Sequence, residues 1–177
     1  VKIKNNDLDL NVEVSYFKKG DINVSFDAQK PLNVYYKDYS AKIMGTADIN
    51  YSINKNKVLY GDYDLKFFDF MNIDKISIRG NVLGDVFNFS KIYVTKNESY
   101  TYLVGNYNML NSKYNFRIIQ TQVNLQEILD DKLKIVNPIW IHGYGNISGQ
   151  NKKFVLESIF PKNTLFLHSS VLERKGD

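Results

Sequence analysis

The sequence predicts an all-β protein in which a single long curved sheet folds over itself into a taco or trough with an apolar interior. Apolar and polar residues alternate through most of the chain, while helical periodicity is confined to one short stretch. In addition, a strand unit occurs twice, as DINVSF at residues 21–26 and as DINYSI at 48–53. Repetition of this kind favours strands added in one direction, as in solenoid-like folds.

The clearest alternation begins after Gly20. Ile22, Val24 and Phe26 lie at every second position, and because successive strand side chains face opposite sides of a sheet, all three share one side. The same pattern precedes this stretch in residues 8–16 and returns up to residue 159. We therefore expect about fifteen short strands.

Two stretches interrupt the simple pattern. The segments GDYDL at 61–65 and GNYNM at 105–109 echo each other, and we expect each to begin a strand after a glycine that tolerates a bulge. Residues 66–71 carry Phe67, Phe68 and Phe70 almost without interruption. Either both faces of that strand are covered, or the strand bends there.

One short helix is predicted near residues 124–131. Asn124 suits the N-cap, Glu127 completes a capping box, and Val123 can pack against Ile128. A helix of about two turns is marginal alone. We expect it to dock on an end of the apolar face through its apolar residues, Leu125, Ile128 and Leu129.

The absence of further helical segments excludes the α/β classes and leaves a sandwich, a closed barrel or a trough. The tight Asn-Gly and Asp-Gly hairpin dipeptides common in sandwiches and small barrels do not occur. We treat residues 1–177 as one domain. Because the chain opens at Val1 within an apparent strand, we expect it to be a fragment of a much longer protein.

The composition offers little support for catalysis, a metal or a cofactor. The chain has no cysteine, and His142 and His168 have no neighbouring ligands at zinc spacing. Asp62 and Asp64 share a face, as paired acid–base carboxylates do, but the solvation of an outer face explains them better. We predict a protein that is not an enzyme and that binds no metal or cofactor.

Nucleic acid is not a predicted partner either. The formal net charge is only +4. In the alternation, the aromatic residues fall on the apolar side and the lysines on the other, so stacking and charge are not combined on one surface.

The residues predicted to line an apolar groove are those on the apolar side of their strands. They are Leu10, Val12, Val14, Ile22, Val24, Phe26, Leu32, Val34, Ile43, Ile49, Tyr51, Ile53, Phe116 and Ile118.

Several segments resemble the repeating modules of the TamB family and its AsmA-like relatives in double-membraned bacteria. The likeness covers about residues 8–168 and consists of glycines and alternation rather than catalytic motifs. Its segments are KPLNV at 30–34, AKIMGTADI at 41–49, VLYGDYDL at 58–65, GNY at 105–107, VNLQEIL at 123–129 and IHGYGNISG at 141–149.

The resemblance implies a periplasmic bridge, anchored to the inner membrane in the full-length protein, with a taco-shaped sheet and an apolar groove. That family is associated with moving phospholipid between inner and outer membranes, and with assembling outer-membrane proteins alongside a barrel partner. The first hypothesis is therefore that the groove carries phospholipid acyl chains.

Two other hypotheses stay open. In the second, an open sheet edge templates strands of an outer-membrane protein by β-augmentation. In the third, a lipocalin-like closed barrel holds one small ligand.

Overall fold

The computed structural model describes residues 2–5, 10–16, 21–36, 39–52, 58–124, 140–151 and 153–159. Side chains are described within these ranges except for those of residues 2–5, 10–14, 16, 36, 39, 158 and 159. The described chain forms eleven strands in one sheet. They are β1 (Lys2–Asn5), β2 (Leu10–Tyr16), β3 (Asp21–Tyr36), β4 (Tyr39–Ser52), β5 (Val58–Phe70), β6 (Ile73–Leu83), β7 (Val86–Lys96), β8 (Ser99–Asn108), β9 (Lys113–Asn124), β10 (Trp140–Gln150) and β11 (Lys153–Ile159).

The strand order in the sheet follows the order in the chain, and each strand pairs antiparallel with the next. β1 and β11 lie at opposite edges, so the sheet is open and not a closed barrel. No helix and no second layer occur in the described ranges. The predicted fold class, an all-β single sheet consistent with a curved trough, is confirmed.

The described ranges contain fewer strands than their apolar runs suggest, because some strands join two runs. The runs at 22–26 and 32–36, for example, both belong to β3. The predicted helix at 124–131 lies outside the described residues except for Asn124, the last residue of β9. Among the described elements, no helix is long and apolar enough to cross a membrane.

The two copies of the repeated strand unit pair with each other. β3 and β4 run antiparallel, with Val24 opposite Ile49. On the other side of the same hairpin, the Asn23 Nδ2 donates to Asp48 Oδ1 at 2.6 Å and to Asn50 Oδ1 at 2.8 Å. The repeat therefore builds the two halves of one hairpin instead of two units stacked in the same direction.

Register shifts in three strands bend the sheet. In β7, Arg79 pairs with Lys91 while Gly80 pairs with Phe89, so one extra residue lies in β7. β9 has an extra residue near Ile119, and β3 is irregular between residues 28 and 32. Because an extra residue bends its strand and increases the local twist, curvature concentrates where these shifts lie. All three adjoin one transverse row of paired residues, namely Ala28, Gly45, Leu65, Ile78, Ile92, Leu103, Ile118 and Gly145.

The expectation that Gly61 and Gly105 start strands at bulges is wrong. Both lie inside strands, and Gly61 pairs with Ile49 and with Val82 in unbroken register. The shift beside Gly105 is produced by the extra residue of β7. The extra residues of β7 and β9 occur where the phase of the apolar alternation changes. The glycines beside them lie on the partner strands, Gly80 and Gly105 next to β7 and Gly143 and Gly145 next to β9.

Of the two alternatives expected for residues 66–71, the structure favours the bend. Asp69 has a left-handed φ of 55°, which interrupts the alternation at the end of β5. Phe67 and Phe70 consequently line the same apolar pocket. Phe68 lies on the opposite face, where the Lys75 Nζ sits 5.9 Å from the centre of its ring.

Two tyrosines each cross a glycine on the next strand and bond to the strand beyond. From β5, the Tyr63 hydroxyl passes over Gly80 and donates to the Asn88 carbonyl oxygen at 2.9 Å. From β9, the Tyr114 hydroxyl donates to the Lys153 carbonyl oxygen at 3.2 Å, across Gly149. A Cβ at Gly80 would lie 2.7 Å from the Tyr63 hydroxyl and one at Gly149 would lie 2.5 Å from the Tyr114 hydroxyl, so only glycine leaves room for these crossings.

Replacing Gly80 with alanine tests this arrangement. We expect Gly80→Ala to lower the free energy of unfolding by about 1–3 kcal/mol, measured by urea denaturation, because the new methyl group overpacks the site. Adding Tyr63→Phe does not restore stability, since the Asn88 carbonyl oxygen also blocks the Cβ position. A Gly80→Ala variant as stable as the parent chain would contradict this account.

Candidate hydrophobic groove

One side of the sheet carries most of the large apolar side chains, and we call it the apolar face. Its residues pair across the strands in transverse rows. One row contains Val24, Ile49, Gly61, Val82, Phe87, Tyr107, Tyr114, Gly149 and Phe154, and the next contains Phe26, Ala47, Tyr63, Gly80, Phe89, Gly105, Phe116, Ile147 and Leu156.

Aromatic rings form a continuous cluster in the middle of this face. The ring centre of Tyr63 lies 6.2 Å from that of Phe87 and 5.8 Å from that of Phe89. Phe89 in turn lies 5.7 Å from Phe116, which contacts Tyr114 at 6.3 Å. The contacts of Phe89 with Tyr63 and with Phe116 bridge strands that are two apart and pass over Gly80 and Gly105. They pack the centre of the apolar face, on which no described element lies.

Exposure varies across the apolar face. Tyr63 is 6%, Val82 2% and Ile118 8% exposed, so the centre is well packed. Val24 and Val34, both in β3, are 40% and 45% exposed. Most other apolar side chains of this face are half-buried, and no described element packs on top of them. The face is therefore an apolar surface left open to a ligand or partner.

An apolar pocket lies at the end of this face near the β3–β4 and β5–β6 connections. Its volume is about 340 Å³, at the lower end of the range of small-molecule sites. Nearly all of its wall is side-chain hydrocarbon. The lining residues are Val34, Ser40, Ala41, Ile43, Phe67, Phe70, Ile76 and Ile78.

Of the residues predicted to line a groove, ten lie on the apolar face: Ile22, Val24, Phe26, Leu32, Val34, Ile43, Ile49, Tyr51, Phe116 and Ile118. Three others have only their backbone described. Leu10, Val12 and Val14 pair with Ala28, Phe26 and Val24. Ile53 lies outside the described residues. Whether any of these residues contacts a ligand stays a prediction.

Sequence reasoning missed the part of the apolar face that contains most of the apolar pocket. Phe67, Phe70, Ile76 and Ile78 line it, but none was among the predicted residues. The alternation in β6 could have revealed Ile76 and Ile78. The position of Phe70 depends on the left-handed conformation of Asp69, which no sequence pattern signals.

The opposite side of the sheet, which we call the polar face, contains a wide and shallow groove of about 720 Å³ across β3 to β7. Its carboxylates include Asp48, Asp62 and Asp64. Arg79 Nε donates to Asp64 Oδ2 at 2.7 Å, and its NH2 group contacts the same oxygen. Asp62 and Asp64 do share a face, as the sequence suggested, but Asp64 belongs to a surface ion pair.

No metal centre emerges in the described part of the chain. His142 lies in β10 opposite Gln122, and no group of three or more His, Cys, Asp or Glu residues could hold an ion there. His168, Asp7 and Asp9 lie outside the described residues.

The expected separation of aromatic residues from lysines is wrong on the polar face. The sequence suggested that aromatic residues and lysines face opposite sides, but Tyr93 and Tyr102 pair on the polar face, and the Lys91 Nζ lies 5.9 Å from the ring centre of Tyr93. The extra residue in β7 reverses the alternation, so odd-numbered residues beyond it face the polar side.

Burial of the Tyr63 hydroxyl predicts a pH dependence of stability. Burial raises the pKa of the Tyr63 phenol to about 12, whereas an unfolded tyrosine titrates near pH ~10. The stabilisation is complete below the unfolded pKa and is lost as the pH rises from about 10 to about 12, because the unfolded state then releases a proton that the folded state retains.

We expect this group to lower the free energy of unfolding, measured by urea denaturation at alkaline pH, by less than about 1.4 kcal/mol per pH unit in that window, because the hydroxyl is only partly buried and solvent screens it. Tyr63→Phe removes this contribution. An unchanged slope in the Tyr63→Phe variant would contradict the assignment.

Comparison with known proteins gives no relative for this chain. No protein-family model matches it, and neither a curated protein nor a solved structure does. Its resemblance to TamB-like modules therefore stays a prediction from the sequence segments that suggested it.

Proposed function

We propose that this chain is a non-catalytic bridge segment whose apolar face carries phospholipid acyl chains between two membranes. The observation that carries the proposal is the apolar pocket at Val34, which opens on a wider apolar face that no described element covers. The periplasm as its location, and the inner and outer membranes as the two ends of the path, come from the resemblance to TamB-like modules.

The energetics favour hydrocarbon as the occupant. Burial stabilises each methylene by about 0.8 kcal/mol. The free energy of a 16-carbon acyl chain is therefore about 12 kcal/mol higher in water than in an apolar site. An open apolar face also keeps part of its own area in water until a ligand arrives. Binding therefore removes apolar surface from water on both partners.

The transverse rows suggest a path across the strands. One row presents only aliphatic side chains in five consecutive strands, Leu65, Ile78, Ile92, Leu103 and Ile118. It adjoins the pocket through Ile78. Since neighbouring strands lie about 4.8 Å apart, a chain moving along this row exchanges one aliphatic contact for a similar one at each step. That similarity keeps barriers to sliding low and makes headgroup selectivity poor.

Templating of an outer-membrane protein by β-augmentation is the alternative. The observation in its favour is that the sheet is open, so its first and last strands do not pair with each other. In that case a photoreactive group at the sheet edge captures polypeptide, whereas one at Val34 captures lipid if the groove carries acyl chains.

Two adjacent substitutions in β3 test lipid carriage. Val34 lines the pocket and is 45% exposed, while Tyr35 points to the other face and is 75% exposed. We expect Val34→Asp to weaken binding of a fluorescent fatty-acyl probe by at least about tenfold, because a carboxylate in the pocket must be desolvated. Tyr35→Asp, with the same new charge one residue away, leaves probe binding unchanged.

Both variants are expected to fold, since both positions are well exposed, and their far-UV circular dichroism checks this. Native mass spectrometry of the purified chain provides the second readout. We expect lipid to co-purify with the parent protein and to be absent from the Val34→Asp variant. Equal probe binding by the parent and the Val34→Asp variant would exclude the pocket as the acyl site.

A further inference from the structure

The polar face carries a second surface that the lipid proposal does not use. It lies on β6 to β10 and combines tyrosines with cations, and we call it the tyrosine–cation patch. Its members are Lys75, Lys91, Tyr93, Tyr100, Tyr102, Arg117 and Tyr144. The extra residue in β7 brings Lys91 and Tyr93 to this face.

The aromatic part of the patch is a connected set. Tyr93 pairs with Tyr102 across β7 and β8, and the ring centres of Tyr93 and Tyr100 are 5.9 Å apart. Gln120 Nε2 donates to the Tyr100 hydroxyl at 2.6 Å, which fixes that ring from β9. Tyr144 on β10 is 46% exposed, and Ile119 beside it is 40% exposed. The surface thus combines tyrosine rings with exposed apolar side-chain area.

The cations of the patch have no ion-pair partner among the described residues. Lys75 and Lys91 lie over the rings of Phe68 and Tyr93, and Arg117 is exposed on β9. The acidic residues nearest in the rows are Asp64, which Arg79 already engages, and Glu157 at the far edge in β11. This half of the polar face is therefore positive, while the half on β3 to β5 carries the carboxylates of the wide groove.

We propose that the tyrosine–cation patch docks the protein on the headgroup layer of an anionic phospholipid membrane. Charge complementarity supports this occupant, because each Lys or Arg near an anionic bilayer contributes about fivefold to binding. Tyrosine suits the same layer, since its ring is apolar and its hydroxyl can form hydrogen bonds with water and headgroups.

A single-stranded nucleic acid fits the patch less well. Base stacking needs free ring faces, but the Tyr93 ring already carries the Lys91 ammonium and lies against Tyr100. The acidic half of the same face limits contact with any polyanion to β6–β10. Docking therefore orients the sheet, with the β3–β5 end held away from an anionic surface.

The test is the partitioning of the 177-residue chain onto sedimenting vesicles, either of phosphatidylcholine alone or with added phosphatidylglycerol. We expect binding only to the anionic vesicles, with release as salt is raised, because surface charges are screened beyond about 8 Å at physiological ionic strength. Trp140 is the single tryptophan of the chain and lies in β10 beside the patch, so its fluorescence reports contact.

Two substitutions on one strand distinguish binding by the tyrosine–cation patch from binding by the overall charge of the protein. Arg117→Glu reverses a charge inside the patch, and Lys113→Glu makes the same change on the same face of β9, about 13 Å away. We expect Arg117→Glu to lower the partition coefficient by more than about tenfold and Lys113→Glu to lower it by less than about threefold. Both positions are exposed, so the fold is retained.

Three outcomes overturn the proposal: no binding to anionic vesicles, equal loss in the two variants, or displacement of vesicles by a single-stranded oligonucleotide that depends on Arg117. The proposal stands independently of acyl-chain carriage. Val34→Asp leaves salt-sensitive vesicle docking intact, and Arg117→Glu leaves binding of the acyl probe intact.

Discussion

A one-layer sheet depends on strict control of the side to which each side chain points, because only alternation separates its apolar surface from its polar one. A slip of one residue moves a whole set of side chains to the wrong face. In β7 the apolar residues change phase between Phe89 and Ile92, and the extra residue at that place returns Ile92 to the apolar face. β9 makes the same adjustment after Ile118. The bulges thus preserve one continuous apolar face while they bend the sheet.

Polar contacts on the other face help to hold this register. Asn88 Nδ2 donates to Asn81 Oδ1 at 3.0 Å, and Asn23 bonds to two residues of β4. Exposed bonds and ion pairs of this kind contribute little stability individually. They are nevertheless specific, because each is formed only when its two strands pair in the observed register. Asparagine-rich strands thereby specify alignment where there is no second layer to do so.

The sequence was informative where the alternation is strict. Ile22, Val24 and Ile49 could be assigned to one face from period two alone, and the open all-β sheet followed from many such segments. The assignment failed where one extra residue changes the phase, so Tyr93 of β7 was placed on the wrong side. Tyr63 over Gly80 could not be foreseen either, since their contact depends on the pairing of β5 with β6. Features that follow from one strand were predictable, and features that follow from the register between strands were not.

The order of the strands has a consequence for how such a protein can change in length. Every described strand pairs with its neighbours in the chain, so a hairpin of two strands can be gained or lost without rerouting any connection. Such an event leaves the direction of the remaining strands and the identity of their faces unchanged. Each strand adds about 4.8 Å to the sheet, and ten steps between eleven strands span about 48 Å. The length of the sheet is therefore an evolvable quantity that duplication or loss of hairpins can adjust.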